Sequence, residues 1–82
     1  MSVSASAETA SKVQVDVVNW LRDALEDPAL SAADNFLAVG GHSMMAIELN
    51  NRLAEKHGVT IGLADLFRKT IGDAIASSVP SS

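Results

Sequence analysis

The 82-residue chain contains no cysteine and no tyrosine, and its aromatic content is two phenylalanines and one tryptophan. Without cysteine there is neither a disulfide framework nor a thiolate metal site. The two histidines stand far apart among scattered acids, so no metal-ligand spacing is present and no metal site is assigned. No apolar run approaches the roughly 20 residues of a membrane-spanning helix. The start, from Met1 to Glu8, has neither a basic segment nor an apolar one, so it does not read as a signal peptide. Cytoplasmic residence without membrane association is the expectation. Bases are also scarce. Six Lys and Arg stand against ten Asp and Glu, giving a net charge of −4 and a pI near 4.8. That balance disfavours nucleic acid, whose binding draws on Lys and Arg.

What remains is a globular composition, 48% hydrophobic and 20% charged. A chain this short makes at most one domain and buries only about 60–65% of its unfolded surface, so its core is thin. Charge is placed unevenly. Glu8, Asp16, Asp23, Glu26, Asp27 and Asp34 crowd the first part against Lys12 and Arg22, whereas residues 35–82 are neutral overall.

The apolar pattern is helical. Residues 1–7 are small and polar and read as a flexible tail. Residues 8–78 form the single domain, and residues 79–82 are a second tail. A first helix is expected from Glu8 to Leu25, with Val13, Val17, Val18, Leu21, Ala24 and Leu25 on one face, Trp20 at its edge and Val15 pointing away. Pro28 marks its end. The long connection to His42 carries Leu30, Phe36, Leu37 and Val39 as anchors onto the bundle, and Ser31 with Asp34 suggests a local turn. A second helix is expected from Ser43 to His57, with Gly58 as its left-handed cap. Met45, Ala46, Leu49 and Leu53 form its core face; Met44, Ile47 and Asn51 point elsewhere. Glu48 and Arg52 read as an i, i+4 pair, and His57 as an ordinary surface residue. A short third helix spans Leu63 to Arg68 with Leu66 and Phe67 inward. Thr70-x-x-Asp73 opens a last helix to Ser78 that buries Ile71, Ala74 and Ile75. The fold expected is all-α, a four-helix bundle with a long first loop and a short third helix.

One stretch carries the candidate chemistry: Phe36-Leu37-Ala38-Val39-Gly40-Gly41-His42-Ser43-Met44-Met45-Ala46. The glycines permit a sharp turn, with Gly41 the candidate for the left-handed position. Ser43 stands where an N-cap belongs, which leaves its hydroxyl at the positive mouth of a helix. By spacing alone it reads as a capping serine without chemistry, although Ala46 occupies the place of the capping-box Glu. A hydrolase nucleophile is disfavoured because the G-x-S-x-G elbow needs Gly where Met45 stands. No catalytic residue is assigned.

The same residues resemble the attachment site of the carrier-protein family. Its peptidyl branch reads Asp-x-Phe-Phe-x-Leu-Gly-Gly-His/Asp-Ser-Leu-x-Ala. Asp34, Phe36, Gly40, Gly41, His42, Ser43 and Ala46 match directly, while Leu37, Val39 and Met44 are apolar replacements. The likeness continues through Asp65-Leu66-Phe67 and Thr70-Ile71, with Gly62 where the family often has Pro. It implies a 4′-phosphopantetheine arm on Ser43, attached by a phosphopantetheinyl transferase from coenzyme A. It further implies an aminoacyl or peptidyl thioester on that arm, with adenylation and condensation or tailoring enzymes as partners in nonribosomal peptide synthesis. The protein itself would be a monomeric, non-enzymatic carrier, either free-standing or part of a larger synthetase. Met44 and Ile47, three residues apart beside Ser43, are the expected docking pair, since partners read carriers along this helix. An acyl carrier of polyketide or fatty-acid synthesis is the alternative within the family. A small helical interaction module is the alternative outside it.

Overall fold

Valines and leucines at steps of three and four build the first helix, α1, which spans Val3–Ala24 in a computed structural model describing residues 3–79. It starts before the expected Glu8, so residues 3–7 are helical where a tail was expected. Nothing in Ser4-Ala5-Ser6-Ala7 breaks a helix, and extending an existing helix costs far less than nucleating one. Val13, Val17, Val18 and Leu21 are buried, and Val15 is exposed.

The end of α1 is a Schellman cap, not a proline stop. Asp27 N–H donates to the Arg22 carbonyl at 2.9 Å and Glu26 N–H to that of Asp23 at 3.3 Å. The left-handed residue is Glu26, with φ 53°, where helices usually place Gly.

The connection that follows is tied down mainly through its backbone. Ser31 N–H donates to Asp34 Oδ2 while Asp34 N–H donates to the Ser31 carbonyl, closing the expected turn. Leu30 and Phe36 are fully buried and Val39 partly so, but Leu37 is 47% exposed, which corrects its place among the anchors. Its neighbour Phe36 points inward, and consecutive residues of this tight turn cannot both face the core.

Helix α2 spans Ser43–His57 and ends on left-handed Gly58 (φ 70°). Ala46, Leu49 and Leu53 are buried, and Met45 packs against the core from its edge. The extended segment after it is held by Asn50. Its Nδ2 donates to the Ile61 carbonyl at 2.9 Å and its Oδ1 accepts the Ile61 N–H at 2.8 Å, as a neighbouring strand would. Helix α3 spans Leu63–Arg68 and α4 spans Ile71–Ser78, both as expected. Thr70 Oγ1 caps α4 by accepting from Asp73 N–H at 3.1 Å.

The long connection satisfies the other free donors of α4. Ile71 N–H donates to the Asp34 carbonyl and Gly72 N–H to that of Ala32, each at 2.9 Å. Among the described residues the sole strand-like pairing is the antiparallel bridge between Asn35 and Thr70. α1 packs on α2 and α4, and α3 packs on α4. The core draws on every helix and also takes in Ile61 and Val79. Val79 was expected in the tail. It is 3% exposed and closes the base of α4, its N–H donating to the Ile75 carbonyl. Among the described residues no helix is long and apolar enough to cross a membrane.

A charge cluster joins α1 to α2, and it overturns two further expectations. Arg52 pairs with Asp16, not with Glu48, through Nη2 at 3.0 Å and Nε at 3.3 Å. His57 is no free surface residue, since its Nε2 lies 3.1 Å from Asp16 Oδ2, with Lys56 Nζ at 3.7 Å from the same oxygen. Burial pushes the Asp16 carboxyl up. The hydrogen bonds from Arg52 and His57 and the charges of Arg52 and Lys56 outweigh it, leaving the carboxyl below its ordinary value. A depressed carboxylate stabilises the fold above its unfolded pKa, and this is lost as pH falls through the folded value. Asp16→Asn should therefore lower stability by about 1–3 kcal/mol at neutral pH, by loss of charge-assisted bonds. In urea titrations the gap to wild type should close in strong acid, as the wild-type carboxyl takes up its proton.

Candidate functional site

The candidate site is the turn that delivers the chain into α2. Asn35 sets it up. Its Nδ2 donates to the carbonyls of Phe67 and Lys69 at 3.1 and 3.0 Å, while its Oδ1 accepts from Ala38 N–H at 3.0 Å. The turn then tightens as Val39 N–H bonds the Asn35 carbonyl, Gly40 N–H that of Leu37, and Gly41 N–H that of Phe36.

The two glycines serve different needs. Gly40 is the left-handed residue, with φ 106°, and Gly41 is not, which corrects the expectation. What Gly41 supplies is room. A Cβ there would lie 2.5–2.6 Å from the Phe36 ring, far inside contact distance. That ring is fully buried and stacked on Phe67, with centroids 6.1 Å apart and planes 21° from parallel. The backbone at Gly41 thus rests directly on an aromatic face.

From this support α2 starts at Ser43 as expected, but its N-cap lies one residue earlier than expected. His42, extended at φ −148° and ψ 173°, is the N-cap, and its Nδ1 accepts from Met45 N–H at 3.4 Å. Ser43 is therefore the first helical residue and not the cap. Histidine ranks below serine as a capping residue, so the local sequence favoured the wrong one. The Ser43 side chain is exposed, and among the described residues its hydroxyl has no hydrogen-bond partner. Nor do the N–H groups of Ser43 and Met44, which point out of the helix mouth.

Met44 and Ile47 are 65% and 50% exposed, so the second apolar face of α2 is indeed outside the core. Leu37, in the turn, is exposed with them. His57 lies fourteen residues along the helix from Ser43, about 21 Å at 1.5 Å per residue, so it cannot act as its base. Three open grooves run along α1, two beside the connection and one at the end of α2, and Ser43 lines none of them. The arrangement can hold an anionic group covalently at Ser43, where free N–H groups and the helix dipole face it.

Residues 13–76 match the model of the family described as "Phosphopantetheine attachment site", and the chain belongs to that family. Members carry covalently attached 4′-phosphopantetheine, and the exposed serine with its open helix mouth fits such a phosphodiester. The chain is 32% identical over 79 residues to cyclosporin synthetase simA of Tolypocladium inflatum, covering 93% of this chain. It is 33% identical over 86 residues to nonribosomal peptide synthetase kk1B of Curvularia clavata, covering 96% of this chain. Against HC-toxin synthetase of Cochliobolus carbonum it is 34% identical over 55 residues, 67% of this chain. It spans about 1% or less of the length of these relatives. No solved structure matches it significantly.

The Gly41 contact predicts a specific coupling. Gly41→Ala should cost about 1–3 kcal/mol by overpacking against Phe36. In a Phe36→Leu background the cost of Gly41→Ala should shrink by at least about 0.5 kcal/mol, because the colliding ring is gone. Gly40→Ala, which suffers from its backbone angle instead, should show no such relief. Denaturant midpoints of the double-mutant cycle measure this.

Proposed function

We propose that the chain is a peptidyl carrier domain of nonribosomal peptide synthesis, with Ser43 as its attachment residue. The observation that carries this is the unengaged Ser43 hydroxyl at the first residue of α2. Its likeness to three peptide and toxin synthetases supports the peptidyl branch over a polyketide or fatty-acid acyl carrier. The spans covered suggest one module among many, either within a synthetase or acting beside one.

In the proposed attachment, the Ser43 oxygen forms a bond to the β-phosphorus of coenzyme A. The bond from that phosphorus to the nucleotide portion breaks, and the hydroxyl proton passes to a base on a separate phosphopantetheinyl transferase. The bound arm supplies a terminal thiol that holds an aminoacyl or peptidyl group as a thioester. The chain contributes everything short of bond chemistry: it fixes the serine, leaves Ser43 and Met44 N–H open toward the phosphate, and shows partners an apolar face. Adenylation and condensation enzymes are the partners this role requires, and the Met44 and Ile47 face is where they would dock.

Intact mass after incubation with coenzyme A and a broad-specificity transferase tests the assignment. Wild type should gain one arm, whereas Ser43→Ala should gain none and keep its helical circular dichroism, since alanine is a strong helix former. A modified Ser43→Ala protein refutes the assignment. Aminoacyl and malonyl loading assays then separate the peptidyl branch from the acyl one.

The docking face has its own test. Met44→Lys and Ile47→Lys should change stability by less than about 1 kcal/mol, as surface substitutions do. Leu49→Ala, a fully buried position, should cost roughly 2–5 kcal/mol. If the face docks partners, the lysine variants accept the arm or its cargo more slowly while remaining folded.

A further inference from the structure

We propose that His42 is a positioning residue that caps α2 in place of Ser43 and so keeps the serine hydroxyl free for arm attachment. The inference rests on the reading of Ser43 as the attachment residue. A helix N-terminus leaves its first N–H groups without intrahelical partners, and a serine at the mouth is among the residues most prone to satisfy them. As an N-cap, Ser43 would accept from Met45 or Ala46 N–H. That bond would occupy a lone pair of the attacking oxygen and fix the hydroxyl against the helix. In the structure this does not occur. His42 holds the extended cap conformation, its carbonyl accepts Ala46 N–H at 3.0 Å, and its Nδ1 accepts Met45 N–H at 3.4 Å. Ser43 is pushed one position into the helix, about 100° further round, with its oxygen unengaged.

The register that allows this is fixed from the other side. Gly41 is held by its bond to the Phe36 carbonyl and by contact with the Phe36 ring, so the chain cannot slide by a residue to hand the cap to Ser43. An Nδ1 that accepts a hydrogen bond carries no proton, so the neutral imidazole of His42 is the Nε2–H tautomer. This gives the proposal a signature independent of any enzyme.

Two measurements test it on the full chain. Long-range ¹⁵N spectra should show His42 as the Nε2–H tautomer, with Met45 N–H protected from hydrogen exchange; the opposite tautomer overturns the proposal. With coenzyme A and a broad-specificity transferase, His42→Ala should lower kcat of attachment by about ten- to hundredfold with little change in KM, as a misplaced nucleophile does. His42→Asn, which supplies a strong capping acceptor at the same position, should restore both the rate and the Met45 protection. Wild-type rates in His42→Ala, or a His42→Asn variant as slow as His42→Ala, overturn the role of His42 alone. If wild type gains no arm at all, the attachment reading falls and this inference with it.

Discussion

The contact between Phe36 and Gly41 is the constraint on which the rest of this small fold depends. The ring is fully buried, stacks on Phe67 of α3, and lies so close beneath Gly41 that no side chain fits there. One side chain therefore fixes the path of the connection, the seat of α3 and the turn from which α2 emerges. Ordering the connection costs about 1–2 kcal/mol of backbone entropy per residue. An aromatic residue burying about 150–250 Å² is among the largest single contributions against that cost. The glycine is then required by the phenylalanine, since a methyl group at Gly41 would lift the chain off the ring.

A core this thin cannot hold four short elements by apolar contact alone, and backbone pairing across the connection supplies the rest. The carbonyls of Ala32 and Asp34 take the first two donors of α4, and Asn35 clamps the carbonyls that end α3. Asn50 does the same for the extended Ile61 segment. Two asparagine amides thus supplement the single backbone bridge seen among the described residues, between Asn35 and Thr70. Each satisfies backbone groups that would otherwise carry a desolvation cost of about 1–3 kcal/mol. The connection is consequently a structural layer of the bundle, and functional groups concentrate on such loops because a scaffold holds them still.

The sequence made legible whatever is signalled locally. Gly58 and the Thr70–Asp73 pair mark the ends they were expected to mark, so α2, α3 and α4 fall where their patterns placed them. The core face of α2 and the exposure of Met44 and Ile47 follow from helical period alone. What was not legible depends on partners distant in the chain. Arg52 had Glu48 within reach on its own helix, but Asp16 on α1 offers a less exposed carboxylate shared with His57 and Lys56. Gly40 and Gly41 are indistinguishable as residue types, and only the buried ring assigns one to the turn and the other to the contact. His42 was hidden for a related reason. Propensity ranks serine above histidine as a cap, yet the register set at Gly41 decides which of the two stands at the helix mouth.

Helix α2 is fastened at both ends and along its middle. Towards its C-terminal end Arg52, Lys56 and His57 converge on Asp16 of α1, and the Lys56 charge lies in the last turn, where the helix dipole also favours it. Midway, Asn50 binds the segment leading to α3, and Ala46, Leu49 and Leu53 are seated in the core. At the N-terminal end the turn rests on Phe36. The first turn alone carries exposed apolar side chains and unsatisfied donors together, at Met44, Ile47 and the N–H groups of Ser43 and Met44. A partner that covers this end gains apolar burial without disturbing the core. An anion attached there gains the open donors and the dipole without reorganising the helix. Both gains fall at the end of α2 where a turn seated on Phe36 meets exposed side chains and open donors.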